Sequence, residues 1–351
     1  MNEPLVSVIV LNYNGIEVIE SCIRSLLETD YRNFEVIIVD NASEDDSLAV
    51  AESILRQSKA KYMIIKNRKN EGYAKGFNIG SKFARGKYIV FANNDCKFSS
   101  EWLRELIWEL EADDQVALVE GKIILGKNYI TYPGNRLTTF GFYPYGFPEL
   151  DKGQWDHIDE IFSPIGVCPV GRRSALEQVG YFDPIIFIQG EIEDLSWRLH
   201  LLGYKVKFVP KSRIYHQARL AKHTMSYGLE TRLNATFHAS KNYIYIFLKN
   251  LALKNLIKFI FVSTLMRFME LLYLMFLQNS GLIALTKVKA YVWILRNVRL
   301  IVNERRKVQS RRKMPDAVIF RKFYVPLNIL RIFYVHSVTL KSIQQLLKIC
   351  V

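Results

Sequence analysis

Short apolar runs alternate with helical patterns over the first part of the chain, and this alternation restricts the possible folds more than any other feature. VSVIVL at Val6–Leu11 and EVIIV at Glu35–Val39 are β-branched runs flanked by turn-forming residues, which predicts strands. Apolar residues between Val18 and Leu27 recur with helical spacing. The pattern continues with a helix from near Ser43, a strand at Tyr62–Ile65, a helix after Gly72 and a strand at Lys87–Phe91. An α/β fold with a mostly parallel sheet flanked by helices is therefore predicted.

Residues 121–165 break this alternation with scattered Gly, Pro and aromatic residues, which predicts an ordered but irregular segment. Such a segment either shapes a binding site above the sheet or serves packing alone. The α/β pattern resumes as far as Val209, and a helical, basic region follows it.

Charge divides the chain into two unlike parts. Of 48 Lys and Arg residues, 20 lie at or beyond residue 236 together with three acids, so this part carries 17 net positive charges. The preceding residues hold the other 28 bases and 31 acids, a net charge of −3. A nucleic-acid-binding domain would place its Lys and Arg residues on a recognisable module. No such module is apparent, so no nucleic-acid partner is predicted.

The cysteines Cys22, Cys96, Cys168 and Cys350 are far apart and have neither metal-binding nor redox spacing, so they are interpreted as reduced, isolated thiols. The opening MNEPLVSVIVLNYNG has an early acid, no basic stretch and only a short apolar run, unlike a signal peptide. We therefore expect the α/β part to lie in the cytoplasm.

Polar residues follow the first two predicted strands, in LNYNG after the first and in VDNASEDD after the second. Open α/β sheets bind ligands at the carboxyl ends of their strands. Helix capping is the simpler interpretation for Asn14, Asn41 and Ser43. Capping does not explain Asp40, whose carboxylate suits a ribose or base.

NEGYAKGFN at 70–78 and NND at 93–95 form the next polar pair. The glycine spacing would let backbone approach a diphosphate at a helix start. Asn93 and Asp95 both offer oxygen atoms to a hard divalent cation. A polar tripeptide after a strand is more often a turn, and only the neighbouring motifs favour a metal site here.

EIEDLSWR at 191–198 is followed, beyond one more strand, by Ile214–Tyr215–His216. The helix dipole stabilises acids at a helix N-terminus, which explains part of the cluster but not the histidine. A buried carboxylate facing an acceptor can act as a general base, and a neutral imidazole can ligate a metal.

Together these segments resemble the inverting family-2 glycosyltransferases of the GT-A fold, especially the prokaryotic rhamnosyltransferase-like branch. The resemblance covers residues 5 to about 216 and rests on VSVIVLNYNG, VDNASEDDS, NEGYAKGFNIG, NND, EIEDLSWRLHLLGYKVKFVP and YH. It implies a GT-A (Rossmann-like) mixed, mostly parallel sheet in a catalytic domain at 1–235. The nucleotide-binding half would occupy about 1–120 and the acceptor half about 121–235, with a separate helical, basic region at 236–351.

The resemblance also implies a UDP- or dTDP-sugar donor, Mg²⁺ or Mn²⁺, and a glycan or lipid-linked acceptor. Asp95 and His216 would hold the metal, with Asn93 in the place of the first acid of the DxD pattern. Asp40 would contact the base. The expected donor-binding positions are Asn12, Asp40, Ser43, Asn70, Gly72, Asn78 and Asn94.

In the acid helix the family usually reads Glu-Asp-x-Asp-Leu, whereas Ile192 stands second here. Glu191 is the expected base, and Glu193 replaces it if the register is displaced. Asp194 would orient the acceptor or Arg198 from the same helix face. An inactive sugar-nucleotide-binding or scaffolding protein is the alternative, while a nicotinamide oxidoreductase is disfavoured because the first strand ends in LNYNG and not in GxGxxG.

The basic region beyond Asn242 is rich in Leu, Ile, Phe and Met, but charged residues interrupt every apolar run before the ~18–20 residues of a spanning helix. Amphipathic helices that lie in an anionic membrane surface fit this pattern, with RRK at 305–307 and 311–313 adding six bases. A soluble helical subdomain and a dimer interface are the alternatives. The expectation is a peripheral protein at the cytoplasmic face of the membrane.

Overall fold

The computed structural model describes residues 3–326, except 127, 139–140, 147, 218–227 and 278–279. Strands and helices alternate in the first part, in the order β1 (Val6–Asn12), α1 (Ile19–Leu27), β2 (Phe34–Asp40), α2 (Ser47–Arg56), β3 (Lys61–Lys66), α3 (Gly72–Ser81) and β4 (Tyr88–Asn93). This order confirms the predicted alternation. The second helix begins at Ser47 and not near Ser43, because the polar segment after β2 forms a loop in which Ala42 has a φ of 63°.

The middle of the chain contains shorter strands. Its elements are β5 (Cys96–Phe98), α4 (Trp102–Ala112), β6 (Val116–Leu125), β7 (Tyr129–Ile130), β8 (Asn135–Thr138), β9 (Gly141–Pro144), β10 (Glu149–Leu150), β11 (Val170–Arg172), α5 (Arg173–Val179), α6 (Glu191–Leu201) and β12 (Lys205–His216). The irregular segment predicted at 121–165 therefore starts later than expected, because its first five residues complete β6. His216 is the last residue of β12.

One mixed sheet organises these elements, with the strand order β10-β7-β6-β11-β4-β1-β2-β3 and with β12 beside β5 and β6. Strands β4, β1, β2 and β3 run parallel, while β11 is antiparallel to both β4 and β6. Residues of β1 and β4 are buried on both faces, which explains their unbroken apolar sequences. The predicted mixed, mostly parallel sheet flanked by helices is confirmed.

Helices make up the described part of the C-terminal region. They are α7 (Leu229–Asn250), α8 (Leu253–Leu272) with a π-helical turn (Tyr273–Leu277), α9 (Gly281–Arg296), α10 (Val298–Arg311) and α11 (Asp316–Phe323). Their buried side chains share one cluster with α6, where Trp197 and Leu201 join Tyr245, Phe247 and Phe323. Residue 235, the predicted end of the catalytic domain, lies inside α7.

The segment Leu253–Phe276 is long and apolar enough to cross a membrane, with a mean hydropathy of 1.7 and only 17% of its most apolar window buried. Its length and composition therefore suit a spanning helix as well as the in-plane helix favoured by the sequence. The exposed apolar residues of α8 include Ile257, Phe261 and Leu265, one helical turn apart.

The described cysteines Cys22, Cys96 and Cys168 are free and buried in one core cluster. The described thiols form no disulfide, in agreement with their interpretation as reduced cysteines. Cys350 lies outside the described residues.

Candidate active site

A network of polar side chains joins the carboxyl ends of β1 and β2. Asn12 and Asp40 are direct neighbours in the parallel pairing. Asn12 Nδ2 donates to Asp40 Oδ1 at 2.9 Å and to Ser47 Oγ at 2.8 Å. Ser43 Oγ donates to Asp40 Oδ1 at 2.6 Å, and the Ser43 N–H donates to Asp40 Oδ2 at 3.1 Å. The predicted donor residues Asn12, Asp40 and Ser43 are therefore one connected group.

Asn94 joins the same network from the end of β4. Its Nδ2 donates to Asn12 Oδ1 at 2.8 Å. A Cβ at Gly15 would lie 2.3 Å from Asn94 Nδ2, so this glycine leaves room for the amide. The structure thus brings Asn94 beside the residues predicted to bind the nucleotide.

Asn70 lies beside a second group of amides at the end of β2. Its Oδ1 accepts from the Gly72 N–H at 2.9 Å and from Asn41 Nδ2 at 3.3 Å. Asn41 Oδ1 in turn accepts from Asn67 Nδ2 at 2.7 Å. These bonds fix the loop that leads into α3, and the sequence pattern did not single out Asn41 or Asn67 for this role.

The glycines of α3 serve packing within the protein. A Cβ at Gly72, whose φ is 79°, would lie 2.5 Å from the Phe187 carbonyl oxygen. A Cβ at Gly76 would approach Leu11 within 2.6 Å, and one at Gly80 would approach Ile9 within 2.7 Å. The close approach predicted for a diphosphate is made here by Phe187 and by side chains of β1, because glycines four residues apart share one helix face.

Asn78, a predicted donor-binding residue, bonds to the backbone of Phe182 in both directions. Its Nδ2 donates to the Phe182 carbonyl at 2.7 Å, and its Oδ1 accepts from the Phe182 N–H at 3.1 Å. The side chain therefore links α3 to the segment after α5. A polar residue on a glycine-rich helix gives the same sequence pattern for either role.

Asp95 and His216 meet where β5 pairs with the end of β12. His216 lies opposite Cys96 in this antiparallel pairing, which brings His216 Nε2 to 3.1 Å from Asp95 Oδ2. A carboxylate oxygen and an imidazole nitrogen suit Mn²⁺ or Mg²⁺, which take further oxygen ligands from water and substrate phosphates. The described residues contain no group of three His, Cys, Asp or Glu able to hold a metal. The pair thus fits a cation that a diphosphate helps to bind.

Asn93, the third predicted metal position, is the last residue of β4. Its N–H donates to the Val167 carbonyl at 3.1 Å, and its carbonyl accepts from the Cys22 thiol at 3.8 Å. These backbone bonds fix the strand end that leads into Asp95.

The segment 165–168 connects this strand end to α6. The buried carboxylate of Glu120 accepts backbone N–H bonds from Ile165, Gly166, Val167 and Cys168, at 2.7–3.1 Å. Tyr73 donates its hydroxyl to the Gly166 carbonyl at 2.9 Å. A Cβ at Gly166 would lie 3.0 Å from Ile192 Cγ2, so α6 packs directly on this segment. Sequence reasoning missed Glu120, although a lone acid within the apolar strand VALVEGKIIL was a usable signal.

Glu191 and Glu193 lie in the first turn of α6. Burial raises the pKa of the Glu191 carboxyl to about 7, and its Oε2 has no hydrogen-bond partner among the described residues. Burial is the main reason why the pKa of Glu193 is raised to about 8, and repulsion from Glu191 is the second. Glu193 Oε1 accepts from Asn135 Nδ2 at 3.2 Å. A general base needs a pKa near the working pH and an acceptor oxygen that no protein group occupies, which Glu191 fits better.

Asp194 is fully buried, and both of its oxygens are occupied. Oδ2 accepts from Arg198 Nε at 2.8 Å, while Oδ1 is bonded by Lys249 Nζ and Asn250 Nδ2, each at 2.9 Å. Of the two roles predicted for Asp194, this geometry matches the orientation of Arg198 and leaves no carboxylate oxygen for an acceptor. Lys249 and Asn250 were not singled out in the sequence.

The mixed sheet, with its polar strand ends beside an acidic helix, defines the GT-A class of glycosyltransferase fold. Residues 7–180 match the family model described as Glycosyl transferase family 2, so this part of the chain is similar to that family.

Known proteins agree with this assignment. N-acetylgalactosaminyltransferase 7 of Drosophila melanogaster is 27% identical over 62% of this chain and 40% of its own length. An uncharacterised glycosyltransferase of Haemophilus influenzae is 34% identical over 33% of this chain and 35% of its own. The chain therefore spans less than half of either relative. S. aureus TarS, solved in complex with UDP-GlcNAc, superimposes with a TM-score of 0.54 at 17% identity, covering 79% of this chain and 74% of that one, which supports the fold.

Proposed function

We propose that this protein is an inverting glycosyltransferase that moves a sugar from a nucleotide-diphosphate sugar to an acceptor hydroxyl in a single displacement. The observation that carries the proposal is Glu191, a buried carboxyl with a pKa near 7 and an oxygen that bonds to no described residue. A carboxyl of this kind beside a sugar-nucleotide site is suited to general-base catalysis.

The chain's own residues supply three parts of the reaction. Asn12, Asp40 and Ser43 bind the nucleotide, with Asn94 adjoining them. Glu191 removes the proton of the acceptor hydroxyl while that oxygen attacks the anomeric carbon from the face opposite the nucleotide. The bond to the diphosphate breaks in the same step, so the configuration inverts and no covalent intermediate forms.

Asp95 and His216 would hold Mg²⁺ or Mn²⁺. When bound, the cation neutralises negative charge that develops on the departing diphosphate. Asn93 would lie next to this site as an oxygen donor in place of an acid.

Ile192 bears on the alternative of an inactive scaffold. It is buried in the core cluster that includes Phe182 and Leu195, and it packs against Gly166. The departure from the usual family motif thus fills a packing position beside Glu191 and leaves the base in place. This favours an active enzyme over a binding protein.

For the substrates, we propose a UDP- or dTDP-sugar donor and a glycan or lipid-linked acceptor, as in the rhamnosyltransferase-like branch. Aspartate and asparagine side chains, such as those of Asp40 and Asn12, can bond the imide edge of uracil and thymine alike.

We also propose that the C-terminal helices bind the cytoplasmic face of an anionic membrane as a peripheral anchor. On α8, the side chains of Ile257, Phe261 and Leu265 are 63%, 76% and 56% exposed and line one apolar face. Lys254 and Lys258 are exposed on the same helix, and basic residues near an anionic leaflet contribute about 1 kcal/mol each.

Release of nucleoside diphosphate, measured over a panel of donors with Mn²⁺ or Mg²⁺, tests the enzymatic proposal. We expect turnover with at least one donor and a loss of at least about a hundredfold in Glu191→Gln, the usual range for a general base. Glu193→Gln is the matched control and should lose far less. Binding of UDP and Mn²⁺ without turnover, over a broad donor and acceptor panel, would favour the scaffold.

A further inference from the structure

The chain reaches Glu191 through a strained turn. Gln189 and Gly190, the two residues before α6, have φ values of 67° and 95°. A left-handed conformation is unfavourable for a residue other than glycine, so Gln189 needs compensating contacts. The position of the Glu191 carboxyl therefore depends on whatever holds this turn.

Helix α7 supplies those contacts. Asn242 Nδ2 donates to the Ile188 carbonyl at 2.8 Å and to the Gln189 carbonyl at 2.7 Å. Lys241 Nζ donates to the Ile185 carbonyl at 3.0 Å. Both residues are buried, so these bonds are made away from bulk water.

Further along α7, Tyr245 and Lys249 bind acids that precede and follow Glu191 in the sequence. Tyr245 donates its hydroxyl to Asp183 Oδ2 at 2.6 Å, and Lys249 forms ion pairs with both Asp183 and Asp194. Burial opposes ionisation of Asp183, but Lys249 and the Tyr245 hydroxyl outweigh it and lower the pKa of Asp183 to about 2. Asp183 precedes Glu191 and Asp194 follows it, so Lys249 connects the chain on both sides of the base.

The opposite side of the turn is held by the α/β part. The Tyr73 N–H donates to the Phe187 carbonyl at 2.8 Å. A Cβ at Gly190 would lie 2.8 Å from Ile246 Cδ1, so α7 packs against the turn as closely as a glycine allows. The segment is thus enclosed between α3 and α7.

We propose that α7 is part of the catalytic unit and that Asn242 is a positioning residue that holds the Glu191 carboxyl in place through the turn at 188–190. The proposal rests on the proposed function, because it needs Glu191 to be the base. It concerns residues beyond 180, where the family match ends. A displacement of about 1 Å in a reacting group can reduce the rate up to a hundredfold.

The test compares Asn242→Ala with Asn234→Ala, the same change at an exposed position of the same helix. In the full chain with its best donor and Mn²⁺, we expect kcat to fall roughly 10- to 100-fold in Asn242→Ala. The donor KM and the affinity for UDP with Mn²⁺, measured by calorimetry, should remain within about twofold of the wild type, since the donor network is untouched.

A kcat of Asn242→Ala equal to that of Asn234→Ala would overturn the positioning role, as would a change confined to donor KM. If Asn242→Ala does not fold, Asn242→Asp keeps the side-chain shape, removes both donated bonds and has the same two outcomes. Glu191→Gln is measured in parallel. Full turnover in Glu191→Gln would show that Glu191 is not the base and would overturn the proposed mechanism. If Glu191→Gln loses turnover while Asn242→Ala keeps normal turnover, only the positioning role is overturned.

Discussion

The α/β part and the C-terminal helices differ in how far their large apolar side chains are covered. Trp102 and Trp197 are fully buried, whereas Phe261 and Phe276 on the C-terminal helices are 76% and 75% exposed. Both regions bury polar side chains, and Lys249 and Asn250 of α7 are buried against the acid helix. The C-terminal region is joined to the catalytic part by an apolar cluster and by buried polar contacts, and α8 leaves an apolar face outside. Only the exposed face of α8 is expected to be separable from catalysis, because α7 holds the turn before Glu191.

Removal of the Asp95 carboxylate should have the largest effect. We expect Asp95→Ala to lose all measurable metal-dependent turnover, because only the imidazole of the Asp95–His216 pair remains. Nucleoside diphosphate release with and without Mn²⁺ measures this. Asp114→Ala, at a 96% exposed side chain, is the control. Binding to anionic vesicles should not change in either variant. Residual metal-stimulated turnover in Asp95→Ala would contradict the assignment of Asp95 and His216 as the metal site.

Lys249→Met tests the polar contact between the regions. It leaves the buried carboxylates of Asp183 and Asp194 with one cation fewer, so we expect unfolding free energy to fall by about 3–5 kcal/mol. Denaturant unfolding gives the value. Lys254→Met removes an exposed lysine and should stay within about 0.5 kcal/mol of the wild type. Equal stabilities of the two variants would mean that the ion pairs do not hold the regions together.

The pH dependence tests Glu191 as the base. Burial raises its pKa to about 7, and only the carboxylate accepts a proton, so kcat/KM should fall about tenfold per pH unit below pH 7. The neighbouring groups Glu193 and Tyr73 have higher pKa values than Glu191, because burial raises the pKa of both. A profile of kcat/KM against pH, measured from pH 5 to 9, gives the pH at which this fall begins. Should the fall begin near pH 8 and disappear in Glu193→Gln, the base would be Glu193.

The smallest effect on the enzyme should come from the exposed face of α8. Replacement of Ile257, Phe261 and Leu265 by serine should reduce flotation with anionic liposomes by at least about tenfold, since each buried apolar side chain contributes about 1.5–3 kcal/mol. Turnover on a soluble acceptor should remain. Alkaline carbonate should release the wild-type protein from membranes, and retention in the pellet would indicate a spanning helix.

The sequence predicted the parallel strands well, because β-branched runs and helical periodicity are local patterns that the burial of β1 and β4 explains. The resemblance implied that Asn12 and Asp40 belong to one donor site, and the two residues are neighbours in the pairing of β1 with β2. The contacts that the α3 glycines and Asn78 make within the protein were beyond the sequence. A close approach to a phosphate and one to the Phe187 backbone need the same small residue.

By itself, then, the sequence determined the order of the elements, the polar residues at the strand ends and the separation of charge. Only the tertiary structure decided which of the acids in α6 has a buried oxygen without a hydrogen-bond partner among the described residues. Asn135 bonds Glu193, and Lys249 and Arg198 occupy Asp194. Arg198 lies one helical turn from Asp194, but Asn135 lies 58 positions from Glu193, and only packing brings such distant partners together. Periodicity records which side of an element is buried, but it carries no information about which distant polar groups meet there.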